Sequence, residues 1–167
     1  MYMGHFAVAL GARRWLRPLP LAWLLFAGIE PDLLDVFGSL VPSLGVGDAS
    51  HSFPGIIYAA IAVAALTALI FRRTGLALGA GLLVLSHVAV DYLTSWLPLW
   101  HGGPHVGLHL YATPRADFVL ETGFIVLSLA LYARSPDLRR PARAGLMAMA
   151  VLMIGLQAIW NFGMAGG

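Results

Sequence analysis

The sequence contains no cysteine and no lysine, and only 11% of its 167 residues are charged. Without cysteine the chain can form neither a disulfide nor a thiolate metal site, so any metal would rest on nitrogen and oxygen ligands. A soluble domain carries about 25% charged residues, whereas 59% of this chain is hydrophobic and its mean hydropathy is +0.81. The arginines are spread along the chain without a basic run, which argues against nucleic-acid binding despite a pI near 9.4. This composition predicts an integral membrane protein with one all-α domain over residues 1–167.

Five apolar stretches have about the 17–25 residues that a helix needs to cross a bilayer. They are Leu19–Val41, Phe53–Phe71, Leu76–Leu97, Ala116–Ala133 and Ala142–Phe162. A shorter apolar piece, residues 2–16, precedes them and is too brief to span. We expect Pro31 to break the first stretch, so that Asp32 can turn inward. The predicted fold is a polytopic helical bundle of about five transmembrane helices plus a short N-terminal helix.

The arginines sort to one side of this bundle. With five spans, only Arg115 falls on the opposite side from the other arginines, and the positive-inside rule makes the arginine side cytoplasmic. At about 1.5 Å per helical residue, Asp32, His87 and Glu121 each lie about 20 Å from the arginine end. Polar groups from at least four segments are therefore expected to meet in the outer part of the membrane.

His87 and Asp91 form the strongest local signal. Their i,i+4 spacing puts both side chains on one helix face, and ionisable groups at membrane depth are costly and usually functional. Together with the other imidazoles and carboxylates they suit zinc, with manganese or iron as alternatives. The number of ligands suggests two ions bridged by a carboxylate, an arrangement that activates water for phosphoester hydrolysis. A structural hydrogen bond between helices is the alternative role for this pair.

Several short motifs follow one another between residue 4 and about residue 121. They are His5-Phe6, Pro31-Asp32-Leu33-Leu34-Asp35, His51-Ser52, Ser86-His87-x-x-x-Asp91-Tyr92-Leu93-Thr94, Gly107-Leu108-x-Leu110-Tyr111 and Glu121. In order and spacing they resemble the bacterial membrane-bound metal-dependent hydrolases (the YdjM-like group). That family is in turn similar to zinc-dependent phospholipase C and to the fungal single-strand nucleases, which are helical enzymes with clustered zinc ions.

The resemblance implies a ligand set for one to two zinc ions, with three as an upper limit. The implied ligands are His5, Asp32, His51, His87, Asp91 and Glu121, with Asp91 as the bridge. Where the soluble relatives carry His-x-x-x-Glu, this chain has Asp117-x-x-x-Glu121, which puts a third ion in doubt. Asp91, Glu121 and Asp117 are the expected catalytic residues, the last two as proton carriers.

Ligation by Asp35, Asp117 and His109 is left open. His101 and His105 share a Gly/Pro-rich outer loop with His109 and are expected to be solvated.

The leading functional hypothesis is a metal-dependent hydrolase, a zinc phosphoesterase that acts through metal-activated water. Its partners would be membrane lipids and a lipid or other phosphoester, at the outer face of the bacterial inner membrane. A metal-binding transporter or a proton or ion pathway is the alternative, since buried histidine and acidic residues also build such paths. A third hypothesis is a structural protein in which the metal only holds helices together. The oligomeric state is not predicted.

Overall fold

The computed structural model describes residues 3–41, 47–100, 102–136 and 140–164, and their fold is almost entirely helical. The helices are α1 (Gly4–Ala12), α2 (Leu21–Leu40), α3 (Gly47–Ser50), α4 (Phe53–Phe71), α5 (Thr74–Thr94), α6 (Pro114–Ala133) and α7 (Arg140–Ile159). A π-helical turn, Trp160–Met164, continues α7. Two-residue strands β1 (Leu97–Pro98) and β2 (His105–Val106) pair antiparallel in the loop after α5. The predicted all-α bundle is confirmed.

Four segments in the described part of the chain are long and apolar enough to cross a membrane. They are α4, α5, α6 and the stretch Gly145–Gly163. Helix α2 has 20 residues but is not among the four, and it carries three acidic residues, Glu30, Asp32 and Asp35. The structure therefore describes a membrane protein with four candidate spans, and a fifth span at α2 stays a prediction.

Helix α1 is buried inside the bundle, although it has only nine residues. Ala9 joins the core formed with α2, α4 and α5, whereas Ala7 and Leu10 join the core formed with α6 and α7. A Cβ atom at Gly28 of α2 would lie 2.8 Å from the Cβ of Ala9. Because only glycine allows α1 and α2 to approach this closely, Gly28 lets the helix that carries His5 pack directly against α2.

The ends of the helices that carry arginines meet at one end of the molecule. Arg14, after α1, donates through Nη1 to the carbonyl of Arg134 at the end of α6, at 3.2 Å. Near the start of α2, Trp23 donates through Nε1 to the Thr67 hydroxyl of α4, at 3.0 Å. The C-terminal half of α5, which carries His87 and Asp91, therefore points to the opposite end.

The expected break at Pro31 was wrong, because α2 is continuous through this proline. Proline removes one backbone N–H donor from the helix, but the turns on either side of Pro31 remain helical. No break is needed for Asp32 to reach the interior, since Gly28 and Asp32 are spaced i,i+4 and share the face that packs on α5.

Candidate metal centre

The centre is built on the outer half of α5, where His87 and Asp91 are both buried. The Nδ1–H group of His87 donates to the carbonyl of Gly28 at 2.8 Å. A carbonyl oxygen only accepts, so this bond fixes the tautomer and leaves the lone pair of Nε2 available. Nε2 lies 3.2 Å from Oδ2 of Asp91, yet it has no hydrogen-bond partner among the described residues. A buried ring nitrogen held in this way is typical of a metal-ligating histidine.

His5 reaches the same place from α1. Its Nε2 lies 3.0 Å from Oδ1 of Asp91, and its side chain is buried. The imidazole rings of His5 and His87 stack, with centroids 3.6 Å apart and planes 11° from parallel. The buried position of α1 therefore supplies a second imidazole to the carboxylate of Asp91.

Asp32 of α2 and His51, just before α4, close the group from the other side. Oδ1 of Asp32 lies 3.3 Å from Nε2 of His51 and 3.4 Å from Nε2 of His87. Nδ1 of His51 is hydrogen-bonded to the Ser50 hydroxyl at 2.9 Å, so Nε2 faces the carboxylates. The side chain of Asp32 is 48% exposed, which makes this the side from which the centre is accessible.

These five side chains fit a metal ion. Two overlapping groups each have ligand atoms within 4.8 Å of one another: His5, His87 and Asp91, and Asp32, His51 and His87. For bonds of 2.0–2.1 Å, ligand atoms of a tetrahedral ion are separated by about 3.3 Å. The nitrogen–oxygen distances of 3.0 to 3.7 Å bracket that value.

The geometry also limits how two ions could be shared. His87 has only Nε2 available, because its Nδ1 is bonded to Gly28, so it can serve one ion. Asp91 presents Oδ1 to His5 and Oδ2 to His51 and His87, the latter two at 3.7 and 3.2 Å. Asp91 belongs to one of the two ligand groups and His87 to both, so a bridge at Asp91 stays a prediction. The five predicted ligands His5, Asp32, His51, His87 and Asp91 thus come together.

The two acidic residues of α6 are placed differently. Asp117 and Glu121 are fully buried, but neither belongs to the two groups found among the described residues. Oδ2 of Asp117 accepts from the amide of Asn161 at 2.6 Å. Asn161 in turn accepts from Gln157 at 2.6 Å, and Gln157 accepts from the backbone N–H of Met3 at 3.0 Å. Ligation by Glu121 stays a prediction.

Tyr111 is close enough to carboxylates of α5 and of α6 for their charges to affect its pKa. The short 3₁₀ turn Leu110–Ala112 carries it, and its hydroxyl is hydrogen-bonded to the Thr94 side chain. Burial raises the pKa of Tyr111, and the nearby carboxylates, Glu121 foremost, raise it further. The tyrosine therefore stays protonated at neutral pH and can donate a hydrogen bond at the edge of the centre.

The remaining candidates in the described part of the chain belong to neither ligand group. Asp35 is exposed on α2, one turn beyond Asp32, and does not belong to either ligand group of the described residues. His105 and His109 are exposed in the outer loop, as expected. His109 contacts Trp96 edge-on, with ring centroids 5.9 Å apart. His101 lies outside the described residues.

The amides of α7 were not expected from the sequence, whose motifs end at Glu121, but Gln157 and Asn161 connect the last span to α1 and α6. The available signal was an asparagine and a glutamine spaced i,i+4 within an apolar helix, since amides in membrane helices commonly bond across helices.

No family model, curated protein or solved structure matches this chain. The resemblance drawn from the motifs therefore stays a prediction. Support for a metal centre comes from the side-chain geometry of this chain.

Proposed function

We propose that this chain is a membrane-embedded, metal-dependent hydrolase that cleaves phosphoesters, with zinc as the preferred ion. One observation carries the proposal: three imidazole Nε2 atoms converge on the carboxylates of Asp32 and Asp91 at one end of an apolar bundle. Ionisable residues at this depth are rarely retained without a function, and imidazole with carboxylate is the ligand set of catalytic zinc.

The five side chains of the centre would bind the ion, and their neighbours hold them in place. The carbonyl of Gly28 and the hydroxyl of Ser50 orient the rings of His87 and His51 through Nδ1. When bound, a divalent ion supplies positive charge that polarises a phosphoryl oxygen and makes water a better nucleophile. Asp32, which is half exposed, faces the side from which water and substrate would enter.

Proton transfer is assigned to the carboxylates of α6. Hydrolysis joins the water oxygen to phosphorus, breaks the bond to the ester oxygen, takes a proton from water and returns one to the leaving alcohol. Glu121 is fully buried and close enough to Tyr111 for its charge to raise the pKa of the tyrosine. Asp117 has one oxygen held by Asn161, so we assign it the smaller share of this work.

The substrate we favour is a lipid phosphoester in the outer leaflet of the bacterial inner membrane. The centre lies at the end of the bundle opposite the arginines, and the positive-inside rule puts arginines in the cytoplasm. A site at that end, open beside Asp32, lies at the depth of lipid headgroups.

Hydrolysis is tested with two substitutions on one helix. Purified protein is assayed in mixed micelles against lipid and nucleotide phosphoesters, with Asp32→Asn compared with Asp35→Asn. Loss of a residue that only orients a metal ligand costs up to about 100-fold in activity. Because Asp32 would bind the ion directly, we expect Asp32→Asn to lower kcat/KM by at least about 100-fold. Asp35→Asn, one turn along α2 and exposed, should retain wild-type activity.

Two outcomes would contradict the hydrolase proposal. Equal activity in both variants would show that Asp32 takes no part in the metal centre. Metal-loaded wild type with no turnover on any phosphoester would favour a transport or structural role for the same residues.

The side of the membrane is tested by single-cysteine labelling, since the chain has no native cysteine. In intact cells an impermeant maleimide should modify His105→Cys in the outer loop and leave Arg73→Cys, between α4 and α5, unmodified. The reverse pattern would place the centre at the cytoplasmic face.

A further inference from the structure

A second feature of the bundle lies away from the metal centre. A groove of about 370 Å³ runs between α1, α2, α6 and α7. Its walls include Phe6 of α1, Leu25 of α2, and Met153 and Leu156 of α7. Among the described residues that line it, Tyr132 is the only one that is not an aliphatic, phenylalanine or methionine side chain.

The groove runs along the helices at the depth of the membrane interior. Leu21 and Tyr132 lie toward the arginine end, whereas Met3 and Leu156 lie toward the other end. The α7 side chains that line it fall within Gly145–Gly163, one of the candidate membrane spans. What faces such a groove in a bilayer is hydrocarbon, and its walls offer water too few polar partners to be held there.

We propose that this groove binds one acyl chain of a membrane phospholipid. Its lining residues extend from the arginine end toward the other end, its walls are apolar, and its volume lies within the 300–1,000 Å³ usual for ligand sites. The site lies on a different face of α1 from the metal centre, since Phe6 lines the groove whereas His5 faces Asp91. It is therefore a binding site separate from the proposed hydrolase centre.

Its occupancy has a consequence for α1. This helix has only nine residues, and Met3, Phe6 and Leu10 form part of the groove wall. A bound chain would pack against that wall and press α1 onto α2. Backbone amides of α1 should therefore exchange with deuterium more slowly in the lipid-bound protein than in the delipidated protein.

The test uses two tryptophan substitutions on α7. Delipidated protein in detergent is titrated with dioleoyl phosphatidylglycerol, and binding is followed by native mass spectrometry. Leu156 is 38% exposed and lines the groove, whereas Val151 is 70% exposed and does not. We expect wild type and Val151→Trp to retain one lipid with the same affinity, and Leu156→Trp to bind it at least tenfold more weakly.

The experiment is carried out on metal-free protein, so that its result is independent of hydrolysis. If both variants retain lipid equally, the retained lipid belongs to the general shell around the protein and not to the groove, and the proposal is overturned. A dimer that Leu156→Trp disrupts would also overturn it, because a second copy of the chain would then be the occupant. If lipid binding leaves deuterium exchange of the α1 amides unchanged, the bound chain does not hold α1 against α2.

Discussion

Two buried carboxylates of this bundle, Asp91 on α5 and Asp117 on α6, have opposite kinds of neighbour. Asp91 faces the Nε2 atoms of three imidazoles, at 3.0 to 3.7 Å. Asp117 accepts a hydrogen bond of 2.6 Å from the amide of Asn161. An amide N–H group therefore satisfies Oδ2 of Asp117 in a contact between helices, whereas its Oδ1 has no hydrogen-bond partner among the described residues.

The neighbours of Asp91 are of a different kind. His87 uses its Nδ1–H group on the carbonyl of Gly28, so its Nε2 presents a lone pair to a carboxylate. Lone pairs that face negative oxygens in a buried site require added protons or a cation between them. The neighbours of a buried carboxylate, rather than its burial, therefore separate a structural acceptor from a candidate metal ligand.

The same substitution at both carboxylates should give the largest difference. Asp91→Asn removes a charge and the proposed bridge, so we expect loss of most bound metal and of activity. Asp117→Asn preserves the volume and keeps an oxygen for Asn161, so the metal content should change less than twofold. Metal content is measured by plasma mass spectrometry after desalting. Equal metal loss in both variants would erase the distinction between the two sites.

A smaller effect is expected from Gly28→Ala, which acts through α1. The added methyl group would meet Ala9 at 2.8 Å, so α1 must move and carry His5 away from Asp91. Overpacking of this kind costs about 1–3 kcal/mol, and we expect about a tenfold weaker zinc affinity. Gly123→Ala on α6, where a Cβ meets no atom of the described residues within 4 Å, is the control. If Gly28→Ala leaves the zinc affinity unchanged, the position of α1 does not affect the metal centre.

Glu121→Gln sharpens the role of the α6 carboxylates. Because Glu121 lies outside both ligand groups of the described residues, we expect it to lower kcat by at least tenfold while metal occupancy stays within twofold. Turnover and metal content are measured on the same preparation. A parallel loss of metal would show that Glu121 is a ligand, as the family resemblance implies.

The smallest effect on metal should come from Asn161→Ala. This change leaves Oδ2 of Asp117 without its donor and should destabilise the protein by about 1–3 kcal/mol, with metal content unchanged. Thermal unfolding in detergent measures the first quantity. A metal loss comparable with that of Asp91→Asn would make the α7 amides part of the centre.

Much of the centre could be predicted because its residues follow rules of spacing. The i,i+4 pair His87 and Asp91 shares a face by helix geometry alone, and helix length put Asp32 at a similar depth, whereas His5 entered the ligand set only through the family resemblance. The bounds of α4 agree with the predicted stretch, but α5 ends at Thr94 instead of Leu97. Leu97 and Pro98 pair with β2, and short strand pairing has no periodic signal.

Other features depend on packing that spacing does not encode. The carbonyl of Gly28 orients His87 only because α2 and α5 cross there, and the burial of α1 depends on the missing side chain at Gly28. Pro31 was misjudged because a proline costs a helix one hydrogen bond, which surrounding contacts can offset. Asn161 and Asp117 are partners across 44 residues of sequence, a separation at which no local pattern operates.

Metal content of the wild type and two histidine variants tests the central claim most directly. His87→Ala removes a buried imidazole shared by both ligand groups, whereas His105→Ala removes an exposed imidazole from the outer loop. Proteins purified without chelators should contain at least one equivalent of zinc in the wild type and in His105→Ala, and less than a tenth of that in His87→Ala. Wild-type protein that binds no metal under these conditions, or His87→Ala protein that keeps a full equivalent, would contradict the account.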